Sequence, residues 1–568
     1  MTSLGRYQEA AAPAAPPARA PAGRPLLARR AARAGLVVLA TAGLYFAYWR
    51  QSLAVGLSSD GSGNILQAWD MLHGNLLLSH WWVSDVSFYT TELPQYALVE
   101  ALTGLGPWVV HAAAAMTYTL LVMLGALLAR GATPRNPPIT EGAPAPPYPP
   151  GAWARALLAA VLMVSPQLSA TSIVLLSPDH TGTAVPLLVI WLLIDRVPES
   201  RPRWYVPVLV GLMFTLAMVG DPVILLTGVA PLVLIGTGRA VTGLVRSGLR
   251  HVPAWYELSL AVAAAAGGVA GSYGPRVMAA LGGYQQSPVS ADTDLSQLQH
   301  GSWVTLQGFL ELFGANVFNP AFYGTTTPAE VAFVWLHLAG ALVVTCGLVV
   351  GLVRIFRPGD LIVPVFAVAI LANAGAYMIS THAQDLLGAR EMAAILPLGA
   401  VLAGRVLGDR LAAWTRAARY WLAPALAVLT AGYLATLGFG GAQPARPGPN
   451  EPLAAVLTAH GLTGGLATYW QANSTNVDSH GRIVISAVAQ DVHDRLVPYL
   501  WETNEANYDP ARRYANFVVA DGPSALPGMK LSAELTFGRP AQIFQAGGYT
   551  IMVWNKNLLA ELNGSGIT

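Results

Sequence analysis

Three short stretches carry the residues that could do chemistry. SSDGSGNILQAWDMLHG, residues 58–74, follows an apolar run and brings Asp60, Asn64, Gln67, Asp70 and His73 together. From 58 to about 105 the chain holds acids such as Asp60, Asp70, Asp85 and Glu92, and no Lys or Arg. A carboxylate without a neighbouring cation can take a proton from a hydroxyl. LLSPDHTGT places Asp179 and His180 side by side, and STHAQDLLGARE supplies His382, Asp385, Arg390 and Glu391. An arginine with few competing cations suits bidentate binding of an oxyanion.

Each residue also has a plain reading. Asp60, just before an apolar-periodic run, can cap a helix. Asp70 and His73 read as ordinary surface residues, His180 as a capping or packing residue, and Arg390 as a partner of Asp385 or a snorkelling side chain. Asp221 in VGDPV, with Pro222 behind it, reads as a helix N-cap.

The elements that must position these residues are membrane helices. The chain has 568 residues, 54% hydrophobic and 11% charged, with a mean hydropathy of +0.47. A soluble protein carries roughly a quarter charged residues. The net charge of +2 and the lack of basic clusters interleaved with aromatics exclude a nucleic-acid binder. A single cysteine, Cys346, excludes an internal disulfide and a cysteine zinc site.

Residues 1–33, rich in Ala, Pro and Arg, read as a disordered basic tail. Apolar stretches follow near 34–57, 106–129, 153–176, 181–195, 205–220, 222–238, 256–275, 329–353, 361–380, 391–408 and 420–440, which predicts about eleven transmembrane helices. Counted by alternation, one side holds 21 Arg and the other 3, so the positive-inside rule places the tail in the cytoplasm. The loops 58–105 and 276–328 and the C-terminus then lie outside. Residues 441–568 read as a small extracytoplasmic α/β or α+β domain, with strand-like runs such as RIVISAV and YTIMVW.

At 100° per residue, Asp60, Asn64 and Gln67 fall within about 40° of one another, opposite Ile65, Ala68, Trp69 and Leu72. That periodicity predicts a helix lying in the outer interface with its polar face toward water. Aromatics and amides in the second long loop, including Tyr284 and Trp303, and Tyr469 and Trp470 in the C-terminal part, are the weak candidates for acceptor contact.

A basic cytoplasmic N-terminus, one long first span, an acidic residue in the first external loop, an interfacial helix behind it, about a dozen spans and an external C-terminal domain together resemble the GT-C superfamily of integral-membrane glycosyltransferases. The resemblance implies a polyprenyl-phosphate-linked sugar donor, an acceptor that is a glycan, lipid or protein hydroxyl, and inverting transfer on the outer face. It implies that Asp60 is the general base and that a basic residue, for which Arg390 is the candidate, holds the lipid phosphate. His180, Asp179, His382, Asn64 and Gln67 are then candidates around the donor. Many members carry an Asp-Glu pair at this place, where this chain has Ser59, Asp60 and Gly61. Some use a divalent cation beside the acid, which Asp60 with His180 or Asp179 could ligate; no spacing demands one. The Arg-for-Lys bias, with Lys only at 530 and 556, resembles actinobacterial proteins and hence a cell-envelope role. Two other readings fit the residues: a polytopic transporter or flippase, and a non-catalytic scaffold that binds a cell-wall polymer.

Overall fold

The computed structural model describes residues 24–132, 151–176, 180–197, 202–287, 292–319, 327–355 and 359–562. The chain divides into residues 1–44, described from Arg24 as the first part of helix Arg24–Ser52, and one compact unit, 45–568. The larger unit includes residues 441–568.

Helices occupy all eleven apolar stretches. Among the described residues five are long and apolar enough to cross a membrane: Trp108–Arg130, Leu225–Ser247, Val252–Ala280, Pro328–Val353 and Leu422–Gly441. Ala152–Met163, Ala184–Asp195, Tyr205–Gly220 and Ile362–Met378 are shorter apolar helices. These are the helices of a membrane protein. Small residues let them approach closely: a Cβ at Gly271 would stand 2.7 Å from the Thr215 carbonyl oxygen, so Val252–Ser272 packs backbone to backbone on Tyr205–Gly220.

Strands number nine among the described residues. Trp81–Val83 (β1), Gln285–Gln286 (β2) and Thr503–Asn504 (β6) form a small sheet in the order β2-β1-β6. Gly464–Ala467 (β3), Val484–Gln490 (β4), Leu496–Pro498 (β5), Phe517–Asp521 (β7), Gln542–Ala546 (β8) and Tyr549–Val553 (β9) form the C-terminal sheet, in the order β5-β4-β3-β7-β9-β8. β3 runs parallel to β4 and β7, and the remaining pairs are antiparallel. One face buries Leu457, Tyr469, Ile485, Phe517 and Ile551; the other buries Leu466, Val518, Ala533, Met552 and Trp554.

Helix Ser59–Leu72 departs from expectation. It forms as the periodicity requires, but Asn64 and Gln67 are each 1% exposed, as buried as Ile65 and Ala68. The polar face does not meet water because the C-terminal helix Tyr469–Asp478 lies on Ser59–Leu72. Ser59 Oγ donates to the Tyr469 carbonyl at 2.8 Å, fastening the two helices. Asp70 is no free surface residue either: its Oδ2 accepts from Trp81 Nε1 and Asn75 Nδ2, both at 2.7 Å, and from Asn504 Nδ2 at 3.4 Å. Periodicity shows a helix to be two-faced, but it cannot tell whether water or another polar surface covers the second face.

Candidate active site

Asp60 is the second residue of helix Ser59–Leu72, and the N-cap is Ser58, whose Oγ accepts from the Gly61 N–H at 3.1 Å. The carboxylate is thus not spent on capping. Its place in the first turn sets it in the favourable field of the helix N-terminus. Arg390 Nη1 donates to Asp60 Oδ2 at 3.2 Å, and the Tyr469 hydroxyl donates to Oδ1 at 2.7 Å. The same hydroxyl lies 2.8 Å from Glu502 Oε2. One phenolic proton therefore faces two carboxylates, one from the first long loop and one from the C-terminal domain. Burial, then the charges of Asp60 and Glu502, push the Tyr469 hydroxyl pKa well above its ordinary value.

Glycine makes this approach feasible. A Cβ at Gly63 would fall 3.0 Å from Glu502 Cβ and 3.1 Å from its Cδ, so Glu502 reaches the helix only where a side chain is missing.

Arg390 and Glu391 share the 3-10 segment Leu387–Met392, between helices Ile362–Met378 and Ile395–Ala417. Asp385 does not pair with Arg390: its Oδ1 accepts from the N–H groups of Leu387 and Gly388 at 2.9 and 3.2 Å, ordering the segment's start. Glu391 joins two imidazoles, with His180 Nε2 at 2.9 Å from its Oε2 and His382 Nδ1 at 3.2 Å from its Oε1. Burial raises the Glu391 carboxyl, but His180 and His382 outweigh it and hold the group well below the usual carboxylate range.

His180 Nδ1 meets Asp221 Oδ2 at 2.7 Å. Burial alone would lower this imidazole; the charges of Asp221 and Glu391 instead raise its pKa well above the ordinary value. Asp221 also accepts from Thr183 Oγ1 at 2.6 Å and, through Oδ1, from Val223 N–H at 2.8 Å, so it caps the following turn as expected and orients His180 as well. Glu92 lies behind, accepting from Thr183 N–H at 3.0 Å; burial, then the nearby Asp221, push its carboxyl pKa well above normal.

These groups line a polar cleft formed by Asp60, Ser84, Asp85, Val86, Phe88, His180, Arg390, Glu391, Trp501 and Glu502, with about 40 Å³ of free space. That is room for a few waters, so a sugar ring enters only if the walls part. Phe88, His180 and Glu502 lie in the left-handed region, with φ of 48°, 58° and 43°. Non-glycine residues sit there at a cost, and such strain gathers at functional sites.

Of the other sequence candidates, Asn64 and Gln67 lie in the buried helix face, and the Asn64 amide has no hydrogen-bond partner among the described residues. Tyr284 is fully buried against Tyr89, which removes it from acceptor contact. Trp303 packs on Phe318, on helix Leu298–Leu312, and does not line the cleft. Trp470 is half exposed and meets Tyr469 edge-on. Asp179 lies outside the described residues. Both ring nitrogens of His180 face carboxylates, Asp221 and Glu391, and among the described residues no group of three His, Cys, Asp or Glu is arranged to hold a metal ion. Sequence reasoning missed Glu502, and it noted Glu92 only as one of the acids of the first loop. The only trace of Glu502 is the glycine at 63 that admits it.

A second charged cluster stands at the far end of Trp108–Arg130. Val110 borders Gly61 beside the cleft, whereas Leu128 accepts from Arg405 Nε and Nη2 at 3.0 and 2.7 Å, roughly 27 Å further along the helix. Arg405 is also bound by Asp195 and Asp360, at 2.5 and 2.6 Å.

No family model matches the chain, and no curated protein does. Among solved structures it is similar to ArnT from Cupriavidus metallidurans, crystallised with undecaprenyl phosphate, with a TM-score of 0.48 and 14% identity over 91% of this chain and 98% of that one. At that score the likeness assigns neither activity nor ligand to this chain.

Proposed function

We propose that the protein is a membrane glycosyltransferase that moves a sugar from a polyprenyl-phosphate-linked donor to an acceptor hydroxyl, with inversion, at the Asp60 cleft. The observation that carries this reading is the meeting of Asp60 and Arg390, 330 residues apart, at one end of a bundle of apolar helices and under a polar domain. Sugar transfer from a lipid phosphate needs both groups: a base for the incoming hydroxyl and a cation for the departing phosphate.

The acceptor O–H gives its proton to the Asp60 carboxylate as its oxygen attacks the anomeric carbon. The bond from that carbon to the phosphate oxygen breaks, and polyprenyl phosphate leaves with the electron pair, its charge held by Arg390. The lipid phosphate competes with Asp60 for the guanidinium, so donor binding frees the base for the acceptor. Glu391, clamped between His180 and His382, fixes the neighbouring Arg390. The arginine distribution along the sequence supports placing the cleft on the extracytoplasmic face.

The test is transfer by the purified full chain in nanodiscs, supplied with polyprenyl-phospho-mannose or polyprenyl-phospho-arabinose and candidate acceptors. Wild type is expected to transfer, and Asp60→Ala and Asp60→Asn to lose about 10²–10⁴ in rate. Transfer that survives both substitutions overturns the base assignment. No transfer from any lipid-linked donor overturns the enzyme reading and leaves the scaffold.

A further inference from the structure

A second cleft, of about 330 Å³, opens where the two long loops and the C-terminal domain meet; Ser79, His80, Trp82, Gly282, Gln285 and Glu505 lie along it. The three-stranded sheet joins it to the Asp60 cleft. β1, Trp81–Val83, begins with Trp81 and Trp82, in the second cleft, and the chain passes directly from its end to Ser84 and Asp85, in the first. β6 pairs antiparallel with β1 and connects Glu502, in the first, to Glu505, in the second. Three strand residues span roughly 10 Å. The Glu505 N–H bonds to the His80 carbonyl at 2.7 Å, and Ser79 Oγ to the Gly282 carbonyl at 2.6 Å, so the three segments form one wall.

The lining defines the ligand class. Among the described residues no Lys or Arg lines this cleft, which disfavours a phosphate or another anion. An indole, a primary amide, an imidazole and a carboxylate offer an aromatic face with neutral and acidic hydrogen-bonding groups. Gln285, His80 and Glu505 are exposed, whereas the indole N–H of Trp82 is buried and has no hydrogen-bond partner among the described residues, so the indole can serve the cleft only with its ring. Sugar rings match such a surface, with C–H groups for the indole and hydroxyls for the amide and carboxylate.

We infer that this cleft is an acceptor subsite for a neutral saccharide chain, holding a ring one or two units from the hydroxyl that reacts at Asp60. The inference rests on the transferase reading in naming the chain as acceptor, and its test is a binding measurement that needs no donor. Full-length protein in nanodiscs is titrated with mannotriose, arabinotriose and their monosaccharides, and binding is read by saturation-transfer NMR. Wild type is expected to bind a trisaccharide more tightly than its monosaccharide. Gln285→Ala and Glu505→Gln should each weaken trisaccharide binding about three- to tenfold, as the loss of one hydrogen bond implies, and Trp82→Ala, which removes the aromatic face, should weaken it as well.

In transfer assays the same three variants should raise KM for the longer acceptor and spare kcat. Wild type that binds no trisaccharide, or variants that bind as wild type does, overturn the subsite. Binding that is lost in the variants while no lipid-linked donor supports transfer sustains the subsite and overturns the transferase reading alone.

Discussion

Gly63→Ala tests how tightly the C-terminal domain is set against the catalytic helix. Gly63 lies inside helix Ser59–Leu72, where alanine would ordinarily stabilise by about 0.5–1 kcal/mol. Here the new methyl would crowd Glu502, at 3.0 Å from its Cβ and 3.1 Å from its Cδ. Clearing it requires Glu502 to release the Tyr469 hydroxyl, now 2.8 Å away, or the two helices to part. A hydrogen bond to a charged group contributes about 1.5–3 kcal/mol, so the substitution is expected to destabilise by about 1–2 kcal/mol net. Activity should fall as well, since a displacement near 1 Å at a catalytic group can cost about 10²-fold.

Unfolding of the purified chain in nanodiscs gives the sign directly. Gly375→Ala, in helix Ile362–Met378, is the control: its new methyl would meet no atom within 4 Å and should not destabilise. In a Glu502→Ala background the penalty at Gly63 should shrink, with a coupling above about 0.5 kcal/mol. A Gly63→Ala protein as stable as the control variant, or fully additive with Glu502→Ala, would refute the close approach and with it the shared Tyr469 contact.

Three further outcomes are expected. Arg390→Ala should lower transfer by about 10²–10³, the usual cost of one charge-stabilising donor, and Arg390→Lys should recover only part of it, because an ammonium lacks the guanidinium fork; equal rates for Lys and Arg in lipid-linked transfer would sink bidentate phosphate binding. The depressed Glu391 pKa contributes stability above its ordinary value of 4.5, lost as pH falls below that, whereas the raised His180 pKa contributes stability below 6.5, lost as pH rises through its folded value. Wild type should therefore exceed Glu391→Gln in stability most clearly between about those two values, and denaturation across pH should show the gap closing below 4.5. Glu92 has the opposite sign: its raised pKa costs stability as pH climbs above 4.5, so Glu92→Gln should unfold at a higher temperature than wild type at pH 7 and match it in acid.

Much of the architecture is legible from residue order. Long apolar runs can satisfy their backbone only as helices, and helices stand at every such run. Asp60 and Arg390 are conspicuous because the first loop lacks cations and few arginines fall in the loops that alternation groups with it. Their meeting is not legible, since neither stretch carries a pattern that refers to the other. The helix of Asp60 illustrates the limit: its polar face reads as solvated, yet it is buried beneath Tyr469–Asp478. Tyr284 fails for the converse reason, as an aromatic in a long loop that fills the core.

The sequence by itself determined the helical elements, the scarcity of charge and the residues with chemical potential, because periodicity and hydropathy are local properties of the chain. Only the tertiary structure decided that Ser58 caps the helix and leaves Asp60 to Arg390 and Tyr469, that Asp221 and Glu391 hold His180 from either side, and that Glu502 stands over Gly63. Those contacts join six separate segments of the chain, and their energy depends on burial and distance, which no single stretch of sequence contains.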